Sequence, residues 1–483
     1  MEAWLYILGG ATGVRALTNL GASCYLFVVR LGKEIHAYLI DAGMESTDSD
    51  GAVSAVSWLA PQDLEKLQTI LDSVGVKKID HVFLTHAHRD HAAAVALKKI
   101  RRHLTHDSRI ICTRPTAAFL PRVLYDQFNV SNRRKENLPY DKDDIEETLD
   151  RVHAVKRPEI LELVPGKISV LLWRNGHIRG SCSVIFIIKS GKTEHTFMFS
   201  GDYATHAQLT TDGAPLPPDD IRISHLLSID CTNCAEDVAK GTDEKTFWKR
   251  EIIRMADDAH NTNKAGGWFL TSAFALDRAP TFARKLADLG LRVYLDGPSA
   301  RKLWDIMESE DGFWCMGDRS VNANSEEIEI LNAVGSALDS NRKVGAIVAP
   351  SGMGHGPVAQ YMRELLPREN AMYGASGYLA PGTNGYKALR AERGSTILLE
   401  VTDKKFEEVR VNARCEQYRA TGHSLRKSLV RRIGEILRNS RSQKPFVGLC
   451  HGSTPALDWV QAQLPEFHTF RQDRPEDRCI RLL

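Results

Sequence analysis

Short apolar runs that each end in a polar residue or a glycine dominate the first half of the chain. Runs such as AWLYILGG, SCYLFVVRLG, EIHAYLIDAG and IDHVFLT are rich in β-branched and aromatic residues, which is typical of buried strands. Helical periodicity appears at residues 61–75 and 92–104, and two further strands are predicted at 109–112 and 167–173. The charged stretch DDIEETLDRVHAV has the pattern of an exposed helix. This layering predicts an α/β or α+β fold.

The periodicity changes after about residue 235. An amphipathic helix, TDEKTFWKREIIRMADDAH, leads into the strand GGWFLTSAF, the helix ALDRAPTFARKLADLG and the strand RVYLDGPSA. This βαβ order favours parallel strands, and it continues through VGAIVAPSGM and a helix at 356–366. Strands are then predicted at 394–401 and 407–415, a basic helix at 424–439 and the strand FVGLC. We therefore divide the chain into three parts, which are 1–235, a self-contained α/β domain at 236–400, and 401–483.

The composition restricts the possible classes of protein but does not identify a function. A chain of 483 residues with 43% hydrophobic and 26% charged residues predicts a globular protein of two domains. The net charge of +2 excludes a whole-chain field that attracts nucleic acid, so any polyanion must be bound by local patches. We expect no signal peptide and no transmembrane helix, because neither a basic leader nor a long apolar run is present.

The nine cysteines are scattered and odd in number, which favours a reducing, cytoplasmic compartment over a disulfide framework. Cys231 and Cys234 form an isolated CxxC. Without a second pair, we interpret them as ordinary core or loop thiols.

The stretch LTHAHRDHAAAV carries the first sign of chemistry. It follows a predicted strand and brings His86, His88, Asp90 and His91 into six positions. Histidine is the commonest side-chain metal ligand, and a carboxylate completes a site for a divalent cation. The spacing therefore predicts a metal-binding loop.

Other polar residues follow apolar strands in the same way. His177 comes after ISVLLW, Asp202 after TFMFSG and His451 after FVGLC. If these strands end at one rim, their side chains supply ligands for two metals. Asp41, after YLI, is left open between a ligand and a carboxylate that orients a ligand histidine. The residue types alone do not separate zinc from manganese or iron.

These motifs resemble the metallo-β-lactamase superfamily and, within it, the β-CASP nucleases of RNA processing, the group of the cleavage and polyadenylation nuclease and RNase J. GGWFLTSAFALDRAPTFARKLADLGLRVYLDGP resembles the strand–helix–strand pattern of the β-CASP insert, while LLSIDCTNC, RATGHSLRKSL and FVGLCHGS fall at its acidic and histidine motifs. The resemblance covers nearly the whole chain. It implies an αββα sandwich, completed by residues 401–483, with an inserted α/β domain.

The resemblance also implies two divalent metal ions, usually zinc in this family. By position, the ligands of one would be His86, His88 and His177, those of the other Asp90, His91 and His451, with Asp202 between them. Two such metals can activate a water and clamp the oxygens of a phosphodiester.

Catalytic roles are carried over in the same way. Asp90 would act through its metal, and His423 would be a hydrogen-bond donor to the scissile phosphate and a general acid. Asp230 would orient His423. The chain departs from the family at Leu425 and Ser453, where acidic residues are common.

Substrate contacts are predicted at four places. The segment SGMGHG, with Ser351 and Gly352, is either an anion-binding nest or an ordinary tight turn. Arg278 is either a residue of the substrate channel or a salt-bridge partner. The basic runs at 98–103 and 426–444 are candidates for phosphate contacts, although a charge run is often only a solvated face.

The expected function is hydrolysis of single-stranded RNA, endo- or exonucleolytic, with no membrane partner and with homo-oligomerisation left open. His451 favours RNA over DNA, because RNA-acting members of the family carry a histidine there. The sequence DCTNC is closer to the acidic motif of the DNA-repair branch of the family, so a DNA nuclease is the first alternative. An inactive scaffold is the second, and the complete ligand set argues against it. A small-molecule hydrolase is the third, and the large insert argues against it.

Overall fold

The protein is described here from a computed structural model. It describes the chain apart from residues 11–20, 49–55, 60, 62, 136, 209–210, 238–240, 298–299, 310–313, 315–327, 332–333, 351–352, 378, 380, 403–404, 439 and 441–443. Among the described helices, none combines the length and the apolar character that crossing a bilayer requires.

In chain order the described strands are β1 (Glu2–Ile7), β2 (Tyr25–Leu31), β3 (Glu34–Ile40), β4 (Glu45–Asp48), β5 (Val56–Leu59), β6 (His81–Phe83), β7 (Ile110–Thr113), β8 (Val152–Val155), β9 (Ile160–Val164), β10 (Ile168–Arg174), β11 (Cys182–Ser190), β12 (Thr193–Phe199), β13 (Leu226–Asp230), β14 (Phe269–Ser272), β15 (Val293–Asp296), β16 (Ile328–Leu331), β17 (Ala346–Ala349), β18 (Met372–Ala375), β19 (Thr396–Thr402), β20 (Lys405–Arg410), β21 (Arg414–Gln417), β22 (Phe446–Cys450), β23 (His468–Arg471) and β24 (Cys479–Arg481). The described helices are α1 (Leu67–Val74), α2 (Arg89–Ala92), α3 (Lys98–Arg101), α4 (Arg114–Arg134), α5 (Lys142–Leu149), α6 (Glu244–Lys264), α7 (Arg278–Asp288), α8 (Ala300–Ser309), α9 (Pro357–Leu365), α10 (Asn384–Arg390), α11 (Arg426–Leu437) and α12 (Thr454–Ala462).

Two seven-stranded sheets pack face to face. Their orders are β24-β1-β2-β3-β6-β7-β8 and β23-β22-β13-β12-β11-β10-β9. Apolar side chains of both inner faces meet in one cluster, in which Phe27 and Tyr38 of the first sheet contact Phe186 of the second at ring-centroid distances of 5.0 and 5.1 Å. Burying these aromatic rings is the main force that holds the sheets together.

Helices cover both outer faces. The outer face of the first sheet packs with α1, α4 and α5 around one apolar cluster, and the outer face of the second packs with α11 and α12 around another. The strands β22, β23 and β24, near the C-terminus, return to these two sheets. The layers are therefore α-β-β-α, as the sequence predicts.

A third sheet lies between the two halves of the sandwich in the sequence. Its six strands follow the order β16-β15-β17-β14-β18-β21 and all its pairs are parallel. Apolar clusters cover both of its faces, which explains why the four inner strands are fully buried, whereas the edge strands β16 and β21 are partly exposed. The division at 236–400 stays a prediction, and β21 of this sheet lies beyond its end.

The predicted helix at 92–104 is wrong. The structure has only the short helices α2 and α3 there, separated by the fully buried stretch Ala93–Leu97. The amide of Ala94 donates to the carbonyl of Ala42 at 2.7 Å, a tertiary bond that replaces a helical one. The tertiary environment therefore overrides the helix propensity of an alanine-rich run.

The predicted helix over DDIEETLDRVHAV is correct only in its first half. It ends at Leu149, and VHAV forms the edge strand β8, which pairs with β7. In contrast, the 21-residue helix α4 has no counterpart in the sequence prediction. Its start is capped by the Thr113 side chain, which accepts from the amide of Thr116.

Candidate metal centre

The predicted metal-binding residues meet at one rim of the sandwich. The loop after β6 carries four of them, and the ends of β10, β12 and β22 carry His177, Asp202 and His451. Asp41 follows β3, and Asp230 is the last residue of β13. Because the strands that carry these residues end at the same edge, side chains from distant parts of the chain converge.

The first group of ligand atoms comes from three histidines and one carboxylate. His88 Nδ1 lies 3.0 Å from His86 Nε2 and 3.1 Å from His177 Nε2. Asp202 Oδ2 lies 3.3 Å from His177 Nε2 and 3.5 Å from His86 Nε2. Four ligands placed tetrahedrally at usual zinc–nitrogen lengths are separated by about 3.3 Å. The spacing of the group fits one metal ion.

The second group shares Asp202 with the first. His451 Nε2 lies 3.2 Å from Asp90 Oδ2 and 3.4 Å from His91 Nε2. Asp202 Oδ1 lies 3.0 Å from His91 Nε2. One carboxylate oxygen therefore faces each group, which is the arrangement that a bridging ligand requires.

The hydrogen bonds on the outer side of the rings fix which nitrogen carries the proton. The carboxylate of Asp41 can only accept, so His91 donates through Nδ1, at 2.7 Å. Thr85 Oγ1 donates to Asp41 and therefore accepts from His86 Nδ1, at 3.1 Å. In the neutral form of each ring the unprotonated nitrogen is therefore Nε2, which points into the site.

The outer nitrogens of His177 and His451, on the opposite side of the site, are also hydrogen-bonded. His177 Nδ1 donates to the carbonyl of Gly422 at 2.8 Å. Thr232 Oγ1 has acceptors for its own proton, so it accepts from His451 Nδ1 at 2.9 Å. The lone pairs on Nε2 of the neutral His86 and His177 rings cannot hydrogen-bond each other, and a cation is the partner that satisfies both. The donor set fits metal ions on this ground.

The electrostatics of the two groups differ. Burial lowers the pKa of His86 and His177 well below the usual range and that of His88 to about 4, so these rings are neutral. Burial alone would lower the pKa of His451 too, but Asp202, Asp230 and Asp90 raise it to about 10. For Asp202 the effect of burial is outweighed by the surrounding histidines, which lower its pKa. The carboxylates thus attract positive charge to the second group.

Asp41 lies outside both ligand groups. It has a φ of 57°, a left-handed conformation that is uncommon without glycine. Its Oδ1 accepts from the amide of Thr85 at 2.8 Å, while its Oδ2 holds His91. Of the two roles that the sequence leaves open, the geometry favours the orienting one.

His423 and Asp230 form a pair beside the metal-binding groups. His423 Nδ1 donates to Asp230 Oδ2 at 2.7 Å, and its Nε2 is 3.9 Å from Asp202 Oδ2. Asp230 also accepts from the amides of Tyr203 and Thr232, at 2.9 Å each. These bonds fix the carboxylate, so the imidazole edge that faces the site is fixed as well.

The structure gives separate results for the predicted substrate contacts and for the CxxC pair. Arg278, at the start of α7, lies against Gly422 beside this site. Ser351 and Gly352 lie outside the described residues. Cys231 and Cys234 are buried in the apolar cluster under α11 and α12, which agrees with the interpretation as core thiols.

The basic runs are largely neutralised within the protein. In α3, Lys98 and Arg101 pair with Asp144, and Lys99 pairs with Glu65. In α11, Lys427 pairs with Asp237 at 2.7 Å.

Several residues that support the site escaped the sequence analysis. They are Thr85, Thr232, the carbonyl of Gly422, and Glu244 at the start of α6, whose carboxylate accepts from the amide of Leu425. Thr85 directly precedes His86, and Thr232 follows Asp230 by two residues, so proximity to a motif was the available signal. The sequence gives no such signal for Glu244, because its hydrogen-bond partner Leu425 is 181 residues away.

Comparison with known proteins agrees with this geometry. Residues 39–208 match the model of the metallo-β-lactamase superfamily domain. Over these residues the chain is similar to the metallo-β-lactamase superfamily. The inserted sheet and the relatives are consistent with the resemblance to the β-CASP nucleases.

Among its relatives is the transcription termination factor FttA of Methanocaldococcus jannaschii, 24% identical over 75% of this chain and 57% of that protein. The cleavage and polyadenylation specificity factor subunit 3-I of Arabidopsis thaliana is 23% identical over 81% of this chain and 53% of that protein. An RNase J-like protein of M. jannaschii is 24% identical over 76% of this chain and 81% of that protein. The chain thus spans little more than half the length of the first two.

A crystal structure of a protein of unknown function from Enterococcus faecalis V583 has the same fold. It covers 100% of both chains with a TM-score of 0.54 and 12% sequence identity. This similarity supports the fold alone.

Proposed function

We propose that this chain is a metal-dependent phosphodiesterase that hydrolyses single-stranded RNA. The observation that carries the proposal is the shared carboxylate of Asp202, with a ligand group on each of its oxygens and the His423–Asp230 pair beside it. A phosphodiester needs charge stabilisation on its oxygens and a proton for the leaving group, and these two features supply both.

We propose that the metals are two Zn²⁺ ions, since nitrogen ligands dominate the site. Bound there, they would supply the positive charge that activates water and stabilises the transferring phosphoryl group. Of the chain's own residues, His86, His88 and His177 would hold one ion, and Asp90, His91 and His451 the other, with Asp202 between them.

We propose that His423 protonates the leaving oxygen through Nε2. Its Nδ1–H donates to Asp230, which fixes the ring with Nε2 facing the site. As water oxygen bonds to phosphorus, the bond from phosphorus to the leaving oxygen breaks and that oxygen takes the proton. General acid catalysis of this kind contributes typically about 10²–10⁴-fold.

RNA is favoured as substrate by two observations. The relatives include the endoribonuclease ysh1 of Schizosaccharomyces pombe and an RNase J-like protein. His451 also occupies the last motif, and its Nε2 faces the second ligand group. A cytoplasmic location stays a prediction of the cysteine pattern.

The test is cleavage of a labelled single strand by the purified chain loaded with zinc. RNA and DNA of the same sequence should be compared, with 5′-monophosphate and 5′-triphosphate ends and with or without chelator. We expect the RNA to be cut and the chelator to stop cleavage. Preferential cutting of DNA would instead support the DNA nuclease.

Three variants complete this test. H88A and D90A should abolish cleavage while the circular dichroism spectrum stays that of the parent. H106A removes an imidazole whose side chain is 97% exposed and should cut like the parent. If either ligand variant keeps parental activity, the assignment of the metal site is wrong.

A further inference from the structure

A turn of the inserted sheet lies against the metal-binding loop. It connects β14, which ends at Ser272, to α7, which begins at Arg278. Two of its residues, Ala275 and Leu276, pack with Ala87 of the metal-binding loop and with Ile178, the neighbour of His177. The turn therefore forms a wall of the site although it belongs to the insert.

The guanidinium of Arg278 reaches the loop that supports the site. A Cβ atom added to Gly422 would lie 2.0 Å from Arg278 Nη2 and 2.9 Å from His177 Nδ1. The guanidinium thus occupies the space that a larger residue at 422 would fill. Gly422 holds His177 through its carbonyl and directly precedes His423. Arg278 is therefore next to both a ligand and the proposed general acid.

The charge of Arg278 is poorly compensated within the described parts of the chain. The residue is only 6% exposed, and neither Nη1 nor Nη2 has a hydrogen-bond partner among the described residues. Burial lowers the pKa of the guanidinium, and the neighbouring Asp277 offsets this only in part. A buried cation whose donors are unused is costly, and proteins keep such groups where a ligand completes them.

Two cations at the start of α11, which follows the His423 loop, differ from Arg278 in how their charge is compensated. Lys427 pairs with Asp237, and Arg426 stacks over Trp459 with its Cζ 4.7 Å from the ring centroid. The carboxylate of Asp237 pairs with both, at 3.4 Å from Arg426 Nη2 and 2.7 Å from Lys427 Nζ, so both charges are compensated within the protein. This contrast separates Arg278 from an ordinary surface cation.

We propose that Arg278 binds a backbone phosphate of the substrate strand through Nη1 and Nη2. The inference rests on the proposed function and deepens it, because it assigns the insert a direct contact with the substrate. The guanidinium fork matches two phosphate oxygens, whereas a lysine offers a single charged centre. A phosphate bound there lies beside the loop that carries His423.

The test measures RNA binding rather than cleavage. The zinc-loaded full chain is titrated into a short, fluorescein-labelled single-stranded RNA with phosphorothioate linkages that slow hydrolysis, and anisotropy is recorded over a range of salt concentrations. We expect R278M to weaken binding at least about tenfold, as expected for loss of a hydrogen bond to a charged group. We also expect the slope of log K against log[salt] to become shallower by about 0.7, the value for one phosphate contact on a single strand.

Two more variants sharpen the result. R278K keeps the charge but loses the fork, so it should weaken binding while retaining the salt slope. K285M removes a charge from the same helix two turns further on and should bind like the parent. Melting temperatures are measured in parallel, and R278M should melt no lower than the parent, because it removes an unpaired buried charge.

The outcomes separate this inference from the proposed function. Parental affinity and salt slope in R278M would overturn the inference, and so would a parent that binds no RNA. A parent that binds RNA but cleaves none of the unmodified strand would refute the proposed function and leave the binding comparison valid. If R278M melts far below the parent, its weaker binding could come from unfolding, and the R278K measurement then tests the inference. Parental RNA binding by R278K would overturn the role of the guanidinium fork.

Discussion

Glu244 connects the start of the insert to the loop that carries His423. It lies at the start of α6 and is 7% exposed. Its carboxylate accepts from the amide of Leu425, two residues after His423, and from the hydroxyl of Thr205. His206 Nδ1 is 3.3 Å from the same carboxylate. We expect substitution of Glu244 to loosen the loop and to lower both stability and kcat.

The expected magnitude follows from these contacts. E244Q keeps one oxygen for the amide of Leu425, and the hydroxyl of Thr205 can reverse and accept from the new amide. Both hydrogen bonds therefore remain in E244Q, but neither involves a charged group any longer, which weakens each by about 1 kcal/mol. The free energy of unfolding of E244Q should therefore be about 2 kcal/mol lower than that of the parent. E244A leaves both donors unpaired in a buried site and should cost about 4 kcal/mol.

The assays are urea unfolding and single-turnover cleavage. E236Q makes the same charge change at a side chain that is 71% exposed and pairs with Arg419 at 3.0 Å, so it should stay within about 1 kcal/mol of the parent. In cleavage, E244Q should lower the maximal rate while the half-saturating concentration of protein stays unchanged. Parental stability and rate in E244Q would refute the reasoning.

The pH dependence gives an independent check. Burial alone would raise the pKa of Glu244, but His206, Thr205 and the amide of Leu425 outweigh it and lower the pKa below 4.5. Stability that depends on the carboxylate charge is therefore complete above pH 4.5 and is lost as the pH falls through the lowered pKa. The difference in unfolding free energy between the parent and E244Q should narrow only in that acidic range.

Three further predictions follow from the same site. D230N should reduce kcat by about 10²-fold or more with unchanged RNA affinity in anisotropy, since only the orientation and charge of His423 change; a loss of affinity alone would contradict this role. D41N should weaken zinc binding by about 10–100-fold in a competition with a chromophoric chelator, because it releases the outer nitrogen of His91, and parental affinity would argue against it. F274A should weaken binding of single-stranded RNA by about 1 kcal/mol or more if this 37% exposed ring stacks on a base, whereas L398A, which truncates a 50% exposed side chain, should not; equal effects would refute stacking.

The sequence predicts which residues converge at one rim of the sandwich because its signals are local. A strand that ends in a ligand is visible as an apolar run followed by histidine or aspartate, and this holds for His177, Asp202 and His451. Strand ends converge whenever the strands share a sheet edge, so the topology brings the ligands together. The metal assignment itself stays a prediction.

The supporting contacts could not be predicted in the same way. Whether Asp41 binds a metal or a histidine depends on its φ of 57° and on the position of Thr85, neither of which leaves a pattern in the sequence. The stretch 93–97 has the composition of a helix, yet it is buried on all sides and bonded to Ala42. Local propensity is informative only where tertiary packing does not decide.

The two kinds of functional residue depend on different parts of the fold. All the proposed metal ligands lie on the sandwich, at strand ends held by its own core. His423, in contrast, lies where the chain leaves the insert, and its loop is held by Glu244 and contacts Arg278, both of which belong to elements of the insert. His177, a proposed ligand, is hydrogen-bonded to this loop through the carbonyl of Gly422. A shift of the insert should still disturb the proposed proton donor His423 more than metal binding, because the ligands lie on the sandwich. Substitutions at the contacts between the insert and the sandwich should accordingly lower kcat at full zinc occupancy, which distinguishes them from substitutions of the ligands.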